Sequence, residues 1–400
     1  MIERLSFKVL IVTVLTLFLG GAVNAGEDHP NEEKSLKEQF KDFRDHHLMD
    51  DHDFHLMTNE ETGAHYGFPL PVILWDDGLH VFMSSKFHHG RDLVKSKGRS
   101  FMLYHNKIYS VDESEPIYIA KKRIEEITKE NGDIEEAVVI DTISEYSYAE
   151  FDEKFIQHAG HLPDESFILN SKPIDFSITK NVFFIFVIGL ILFLILRSAA
   201  NSYKKHGSLP AGFGRFLEPI ILFVRDDIAK PNIGEKHYKR YMSYLLTIFF
   251  FIWLVNLFGL TPLGVNVTNN IAVTFALALM TFLITAFTAN KNYWKHIFWM
   301  PGVPAPMKVV LAPIELLGTI IKPFSLMIRL YANITAGHIV IMSILGLIFF
   351  FQNWIGGSLS FVLAIALGLL ELLVAALQAY IFTMLSALYF GMAVEEHDHH

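Results

Sequence analysis

KPFSLMIRLYANITAGHIVI, residues 322–341, lies inside an apolar run that extends from Val309 to Phe351. Those 43 residues reach about 64 Å as a helix, roughly twice the hydrocarbon thickness of a bilayer. A second run, Ser358 to Val394, reaches about 55 Å on the same arithmetic. Two helices of that length cannot stand upright in a membrane, so they tilt, bend or divide. Pro323 marks one bend, Pro301, Pro304, Pro306 and Pro313 interrupt the approach to the first run, and Gly356-Gly357 is expected to turn the chain into the second.

Outward from this pair, NVFFIFVIGLILFLIL (181–196) carries no charge and ends at Arg197, which makes it the first span. Further spans are expected at about 241–260 and 270–289. Arg197, Lys204, Lys205, Arg215, Arg225, Lys230, Lys236, Lys239 and Arg240 fill the segment between the first and second spans, so that segment is expected in the cytoplasm. Within it, FLEPIILFVRDDI (216–228) is amphipathic enough to lie on the membrane surface. The expected class is an all-α polytopic membrane protein of about five to six membrane helices, the last two long and tilted. A small α+β extracytoplasmic domain precedes it. No internal repeat is visible, which argues against an inverted-repeat transporter.

The composition agrees. Of 400 residues, 52% are hydrophobic and only 19% charged, too apolar for an ordinary soluble chain. Cysteine is absent, which excludes disulfide frameworks, thiol nucleophiles and cysteine-based zinc sites. The net charge of -9 is unevenly spread: residues 26–170 hold 15 basic against 31 acidic residues, and residues 171–400 hold 16 against 10. An acidic front and an apolar, net-basic back lack the basic soluble face that a nucleic acid needs.

Three parts follow. Residues 1–25, with Arg4 and Lys8, an apolar stretch Val9–Leu19 and small residues to Ala25, read as a cleaved secretory signal, so the mature chain is expected to begin at Gly26. A retained anchor helix is the other reading, though the stretch is short for a span. Residues 26–170 form an acidic, His-rich extracytoplasmic extension. Its first part, 26–60, buries too little to be given a fold. From Pro69 onward VILW (72–75), LHVFM (79–83) and SFMLYHNKIYSV (100–111) read as strands broken by Asp76-Asp77-Gly78 and His88-His89-Gly90, with a helix expected near 120–131. Residues 171–400 form the membrane part.

An ionisable group in hydrocarbon costs about 2.5–3.5 kcal/mol and calls for a partner or a use. Glu315, Lys322 and Arg329 recur every seven residues and share one helix face; Asn333 follows Arg329 by one turn, and His338 points to the opposite side. Glu371 and Gln378 share a face of the last helix. Glu315 and Lys322 also fit a plain interfacial pair, and His338 a packed core histidine. Glu371 within LLELLVAAL suits proton relay better, and Arg329 cannot shed its charge, so it acts as a fixed cation beside titratable groups.

These residues resemble subunit a of the F-type ATP synthase. The likeness rests on KPFSLMIRLYANITAGHIVI (322–341) and LLELLVAALQAYIFTMLSALYFGMAVEEH (369–397), and more weakly on IFFFIWLVNLFGLTP (248–262) and the first span. It implies that Arg329 faces a carboxylate on the ring of c subunits, that Asn333 and Gln378 position or solvate that arginine, and that Glu315 and Asn256 match further polar positions. Many bacterial members carry Glu where His338 stands and His where Glu371 stands, so the pair is exchanged here. We expect His338 and Glu371 to pair across the two long helices.

The resemblance implies a proton-conducting stator subunit with two half-channels to the c-ring, in a bacterial inner membrane with a cytoplasmic C-terminus. The expected partners are c-ring proteolipid subunits, stator b subunits, other ATP synthase subunits and the lipid bilayer. There is no GxxxxGK[ST] loop, so nucleotide catalysis is expected on other subunits, and no cofactor or metal is assigned. The alternative is a membrane-anchored metal-binding or metal-transport protein, suggested by 19 His in all and the tail Glu395–His400.

Overall fold

The computed structural model describes residues 50–59, 64–90, 92–104, 106–111, 116–128, 134–147, 166–168, 170–206, 213–261, 267–300, 303–350 and 354–395. The expected signal and the Gly26 start lie outside these residues.

The described front region is built of antiparallel strands. β1 (Asp53–Asn59) pairs with β2 (Ala64–Pro69). β3 (Pro71–Trp75) and β4 (Leu79–Met83) form a hairpin joined at its edge by β11 (Ile174–Asp175). Alternation sends Val72 and Leu74 on β3, and Phe82 on β4, into a core with Phe87 and Phe101. The Asp76–Gly78 loop closes the hairpin with Asp77 at φ 50° and Gly78 at φ 148°, the positive-φ region that Gly and Asp tolerate. β5 (Val94–Ser96), β6 (Arg99–Tyr104) and β7 (Lys107–Val111) make a meander. β8 (Ile117–Thr128) and β9 (Ile134–Tyr146) form a long ribbon, with β10 (Ser166–Ile168) on its outer edge.

Where a helix is expected near 120–131, residues 120–128 belong to strand β8, and 129–131 lie outside the described residues. KKRIEEIT has helix-forming residues, yet pairing with β9 along the whole strand, broken only by a bulge at Lys121/Lys122, outweighs local propensity, as tertiary pairing commonly does. A second correction concerns residues 50–59, the described part of 26–60. β1 forms here, and buried His52 donates through Nε2 to Asp175 Oδ2 at 2.8 Å. Burial pushes the Asp175 carboxyl up, but hydrogen bonds from His52 and Ser177 outweigh it and hold the group below its usual range.

Eight α-helices follow among the described residues: α1 (Lys180–His206), α2 (Phe213–Phe223), α3 (Lys230–Ile233), α4 (Tyr238–Gly259), α5 (Ile271–Thr288), α6 (Lys291–Phe298), α7 (Ala305–Phe350) and α8 (Trp354–Val394). Five of them, α1, α4, α5, α7 and α8, are long and apolar enough to cross a membrane. The 46 residues of α7 and 41 of α8 make rods of about 69 and 62 Å, which fit a bilayer only when steeply inclined. Pro313 and Pro323 lie inside α7, and Gly356 and Gly357 inside α8, so neither the expected break at Pro313 nor the Gly-Gly turn occurs. In hydrocarbon the backbone has no water to turn to, and keeping the remaining helical bonds outweighs Pro and Gly propensity.

The helices meet at two ends. At the front end Leu70 of the extension packs with Phe184 and Ile188 of α1, Val255 of α4 and Val267. At the far end α2, the π-helical turn Val224–Ala229 and α3 carry Leu217, Val224, Ile228 and Ile233 into a cluster with Tyr241, Leu245, Phe382 and Phe390. The stretch expected to lie on the membrane surface thus buries Leu217, Val224 and Ile228 in the bundle while Phe216 and Phe223 stay exposed. Tyr241 stacks on Phe390 at 4.5 Å, and Asn290 caps the end of α8 by donating to the carbonyls of Ala393 and Val394.

Gly391 sets how closely α8 approaches α3: a Cβ there falls 1.8 Å from the carbonyl oxygen of Asn232. That atom belongs to the backbone and cannot rotate away. Gly391→Ala is expected to cost upward of about 3 kcal/mol through overpacking and to deplete the subunit from membranes. Gly368→Ala, where a Cβ meets nothing within 4 Å, is the control. Immunoblotted membrane levels and thermal unfolding in detergent check the pair, and equal behaviour would contradict the contact.

Candidate functional site

Two polar clusters line the helix interfaces, one near each end of the bundle. The front cluster starts at the 3₁₀ turn Val267–Asn269 that leads into α5. Thr268 Oγ1 donates to Asn256 Oδ1 of α4 at 3.0 Å, and Asn256 Nδ2 donates to the Ala375 carbonyl of α8 at 3.4 Å. Thr335 of α7 donates its hydroxyl to Asn269 Oδ1. Three residues on, His338 Nδ1 lies 2.9 Å from Glu371 Oε1 of α8. Both side chains are largely enclosed, 13% and 5% exposed, and one hydrogen bond joins them across the two helices.

Gly337 makes that meeting possible. A Cβ there would lie 2.9 Å from Glu371 Oε1 and 3.3 Å from its Cδ, so a larger residue would push the carboxylate away from the imidazole. Glu371 Oε2 is buried with no hydrogen-bond partner among the described residues.

The far cluster is lined by Thr281 and Thr285 of α5, Tyr293 of α6, Thr319 and Lys322 of α7 and Tyr389 of α8, around a small cavity. The Tyr244 and Thr281 hydroxyls are 2.7 Å apart. Tyr293 bonds Thr319, and Glu315 lies within electrostatic reach of both Tyr293 and Lys322. Lys322 Nζ sits 5.5 Å from the centre of the Tyr389 ring, a cation–π contact.

Arg329 stands between the clusters. Along α7 it is seven residues from Lys322 and six from Thr335, about 10 Å each way. It is half-buried and interacts electrostatically with Tyr389. Asn333, one turn further, is exposed, as are Ile328 and Ala332, so this side of α7 is left uncovered by the chain's own helices. Gln378 is buried on α8, seven residues after Glu371 and on its face.

Of the residues singled out in the sequence, Asn256, His338 and Glu371 gather in the front cluster, Glu315 joins the far one, and Arg329 with Asn333 marks the open face between. Sequence reasoning missed Thr268, Asn269, Thr335, Thr281, Thr285, Thr319 and the tyrosines Tyr244, Tyr293 and Tyr389. Neutral hydroxyls and amides in apolar helices carry a weak signal, because they also bond their own backbone, as Thr319 Oγ1 does to the Glu315 carbonyl at 3.0 Å. Among the described residues no three of His, Cys, Asp and Glu gather as metal ligands do.

The family model described as ATP synthase A chain matches residues 182–391, from the first turn of α1 to the last turn of α8. A second model, described only as a domain of unknown function, matches residues 43–141. ATP synthase subunit a of Chloroherpeton thalassium is 45% identical over 232 residues, 56% of this chain and 69% of that protein. ATP synthase subunit a 2 of Chlorobaculum tepidum is 42% identical over 265 residues, 64% of this chain and 72% of that protein. ATP synthase subunit a of an Anaeromyxobacter species is 42% identical over 235 residues, 56% of each chain. A family match over more than half the length, on helices long and apolar enough to cross a membrane, leads to one assignment: the chain belongs to the ATP synthase A chain family, the subunit a of F-type ATP synthases.

Proposed function

We propose that this subunit conducts protons between each aqueous side and a ring of proteolipid c subunits, so that ion flow turns the ring and drives ATP synthesis on other subunits. The observation that carries the reading is the place of Arg329, midway along α7 between two polar clusters that lie toward opposite ends of the bundle. The front cluster forms one half-channel, with His338 and Glu371 passing the proton; the far cluster, with Lys322 and Glu315, forms the other.

The chemistry follows from charge. A carboxylic acid on the ring crosses lipid when protonated, whereas an ionised one faces a cost of about 2.5–3.5 kcal/mol at the helix centre. Beside Arg329 the ionised form is stabilised, and the guanidinium keeps its charge throughout. A ring acid that arrives protonated gives up its proton to one cluster, is held as the carboxylate, and takes a new proton from the other. The uncovered side of α7 around Arg329 and Asn333 suits a neighbour that slides past.

The far end carries Arg215, Arg225, Lys230, Lys236, Lys239 and Arg240, which supports a cytoplasmic far end and an extracytoplasmic extension in the inner membrane of a bacterium. The division into a signal (1–25), an extension (26–170) and a channel part (171–400) belongs to the same reading, as do stator b subunits as neighbours. Extraction in mild detergent tests it. The chain is expected to copurify with a small two-helix proteolipid, and vesicles holding the complex are expected to acidify on ATP addition. Purification without any proteolipid would overturn the proposal.

A further inference from the structure

The extension reaches the front cluster through one carboxylate. Asp50 precedes α1 by 130 positions, yet its Oδ1 accepts the Asn181 amide at 3.0 Å and its Oδ2 accepts the Thr179 hydroxyl at 2.9 Å. The same Oδ2 accepts from Asn270 Nδ2 at 3.4 Å. Asn270 has no freedom to reverse its amide, because its Oδ1 caps α5 by accepting the Ala272 amide at 3.0 Å. Lys180, beside Asp50 and Asp51, is within electrostatic reach of both carboxylates.

Three consecutive side chains therefore bind three different parts of the molecule. Thr268 holds α4 through Asn256, Asn269 holds α7 through Thr335, and Asn270 holds the extension through Asp50. Thr335 stands three residues from His338, and Ala375, which accepts from Asn256, stands four from Glu371. Leu70 of the extension also shares a buried cluster with Val267 at the start of the same turn. The extension thus grips the turn once by packing and once by charge, and the turn in turn sets the spacing of the helices that carry the His338–Glu371 pair.

We propose that the extension is a working part of the ion path, with Asp50 as a positioning residue that, through Asn270, fixes the 267–270 turn and with it the geometry of His338 and Glu371. This gives a function to a region whose own family match has none. It rests on the ion-path reading above. Asp50 itself carries no proton in this scheme; it acts by accepting hydrogen bonds, so its effect depends on which partner donates.

The exchange of the two side chains separates positioning from simple structural support. In Asp50→Asn, an Oδ still accepts from Asn181, but an NH2 now faces the Asn270 NH2, donor against donor. In Asn270→Asp, α5 keeps its cap, but two carboxylates oppose each other. With both changes together, the new amide donates to the new carboxylate and every other bond survives, the Thr179 hydroxyl turning to accept. Proton flux per assembled complex is measured in vesicles of the whole purified enzyme, with subunit content fixed by immunoblot. Each single change is expected to slow flux roughly ten-fold, the lower range for losing an orienting partner, and the exchanged pair to return to within about three-fold of the original by coupling of the two sites.

Single variants with unchanged flux per complex, or an exchanged pair no better than the worse single, would overturn the proposal. Arg329→Ala run in parallel keeps the two readings apart. Normal flux there sinks the ion path itself, whereas an inactive Arg329→Ala beside a normal Asp50→Asn sinks only the role of the extension.

Discussion

Arg329→Ala is expected to abolish proton-driven ATP synthesis and ATP-driven pumping, a loss of more than about 100-fold, while the subunit still assembles. The half-buried guanidinium makes little of the bundle's core: Leu326 and Leu330, on either side of it along α7, are 2% and 1% exposed and remain in place. What goes is the single permanent charge between the clusters, and a group asked to stabilise a carboxylate in hydrocarbon supplies several kcal/mol there. Lys322→Ala removes a cation too, but one at the far cluster beside Glu315 and over the Tyr389 ring. A lysine in that position can reach toward an interface on its flexible stem. Its loss is expected to slow flux only a few-fold. Paired assays of synthesis rate and passive proton leak check this, and near-normal synthesis by assembled Arg329→Ala enzyme would defeat the mechanism.

The contrast between these two cations shows what a sequence makes legible. Seven-residue spacing put Glu315, Lys322 and Arg329 on one face, and the structure keeps that order along α7 while gathering Glu315 and Lys322 in the far cluster and leaving Arg329 apart from it. The spans were readable because a long uncharged run has one stable form in a bilayer: α1, α4 and α5 begin and end within a few residues of the expected limits, save that α1 continues past Arg197 to His206. The breaks were not. Pro313 and Gly356-Gly357 are punctuation in water, where freed backbone groups find solvent; in hydrocarbon the helix continues through them. The front region failed in the opposite way. KKRIEEIT pairs with β9 because a partner strand is present, and no local pattern announces a partner. Asp50 stood in a stretch too polar to suggest a fold, and its three bonds come from residues more than a hundred positions away.

His338 and Glu371 are the case where spacing and structure meet, and their exchange makes the more demanding prediction. His338→Ala and Glu371→Ala are each expected to slow proton conduction on the order of 100-fold, since a positioned acid–base group contributes at least that much. In His338→Ala the buried carboxylate loses the imidazole 2.9 Å away and is left with no counterpart, a costly state in low dielectric. In Glu371→Ala the imidazole survives but the next site in the relay is gone. Gly337→Ala, which leaves both groups intact yet drives a methyl to 2.9 Å from Glu371 Oε1, is expected to lower flux without altering either residue's chemistry. Because a proton passes between imidazole and carboxylate in either direction, His338→Glu combined with Glu371→His is expected to conduct better than either half of the exchange by about ten-fold or more, read as coupling in a double-mutant cycle. Each half alone pairs like with like: two carboxylates in one buried site, or two imidazoles with no counter-charge. The space left by Gly337 lies against residue 371, where the bulkier ring would now sit, so recovery is expected to stay below the original rate. Additive losses with no recovery in the exchanged protein would mean that the hydrogen bond seen between α7 and α8 is a packing contact and that the proton takes another way to Arg329.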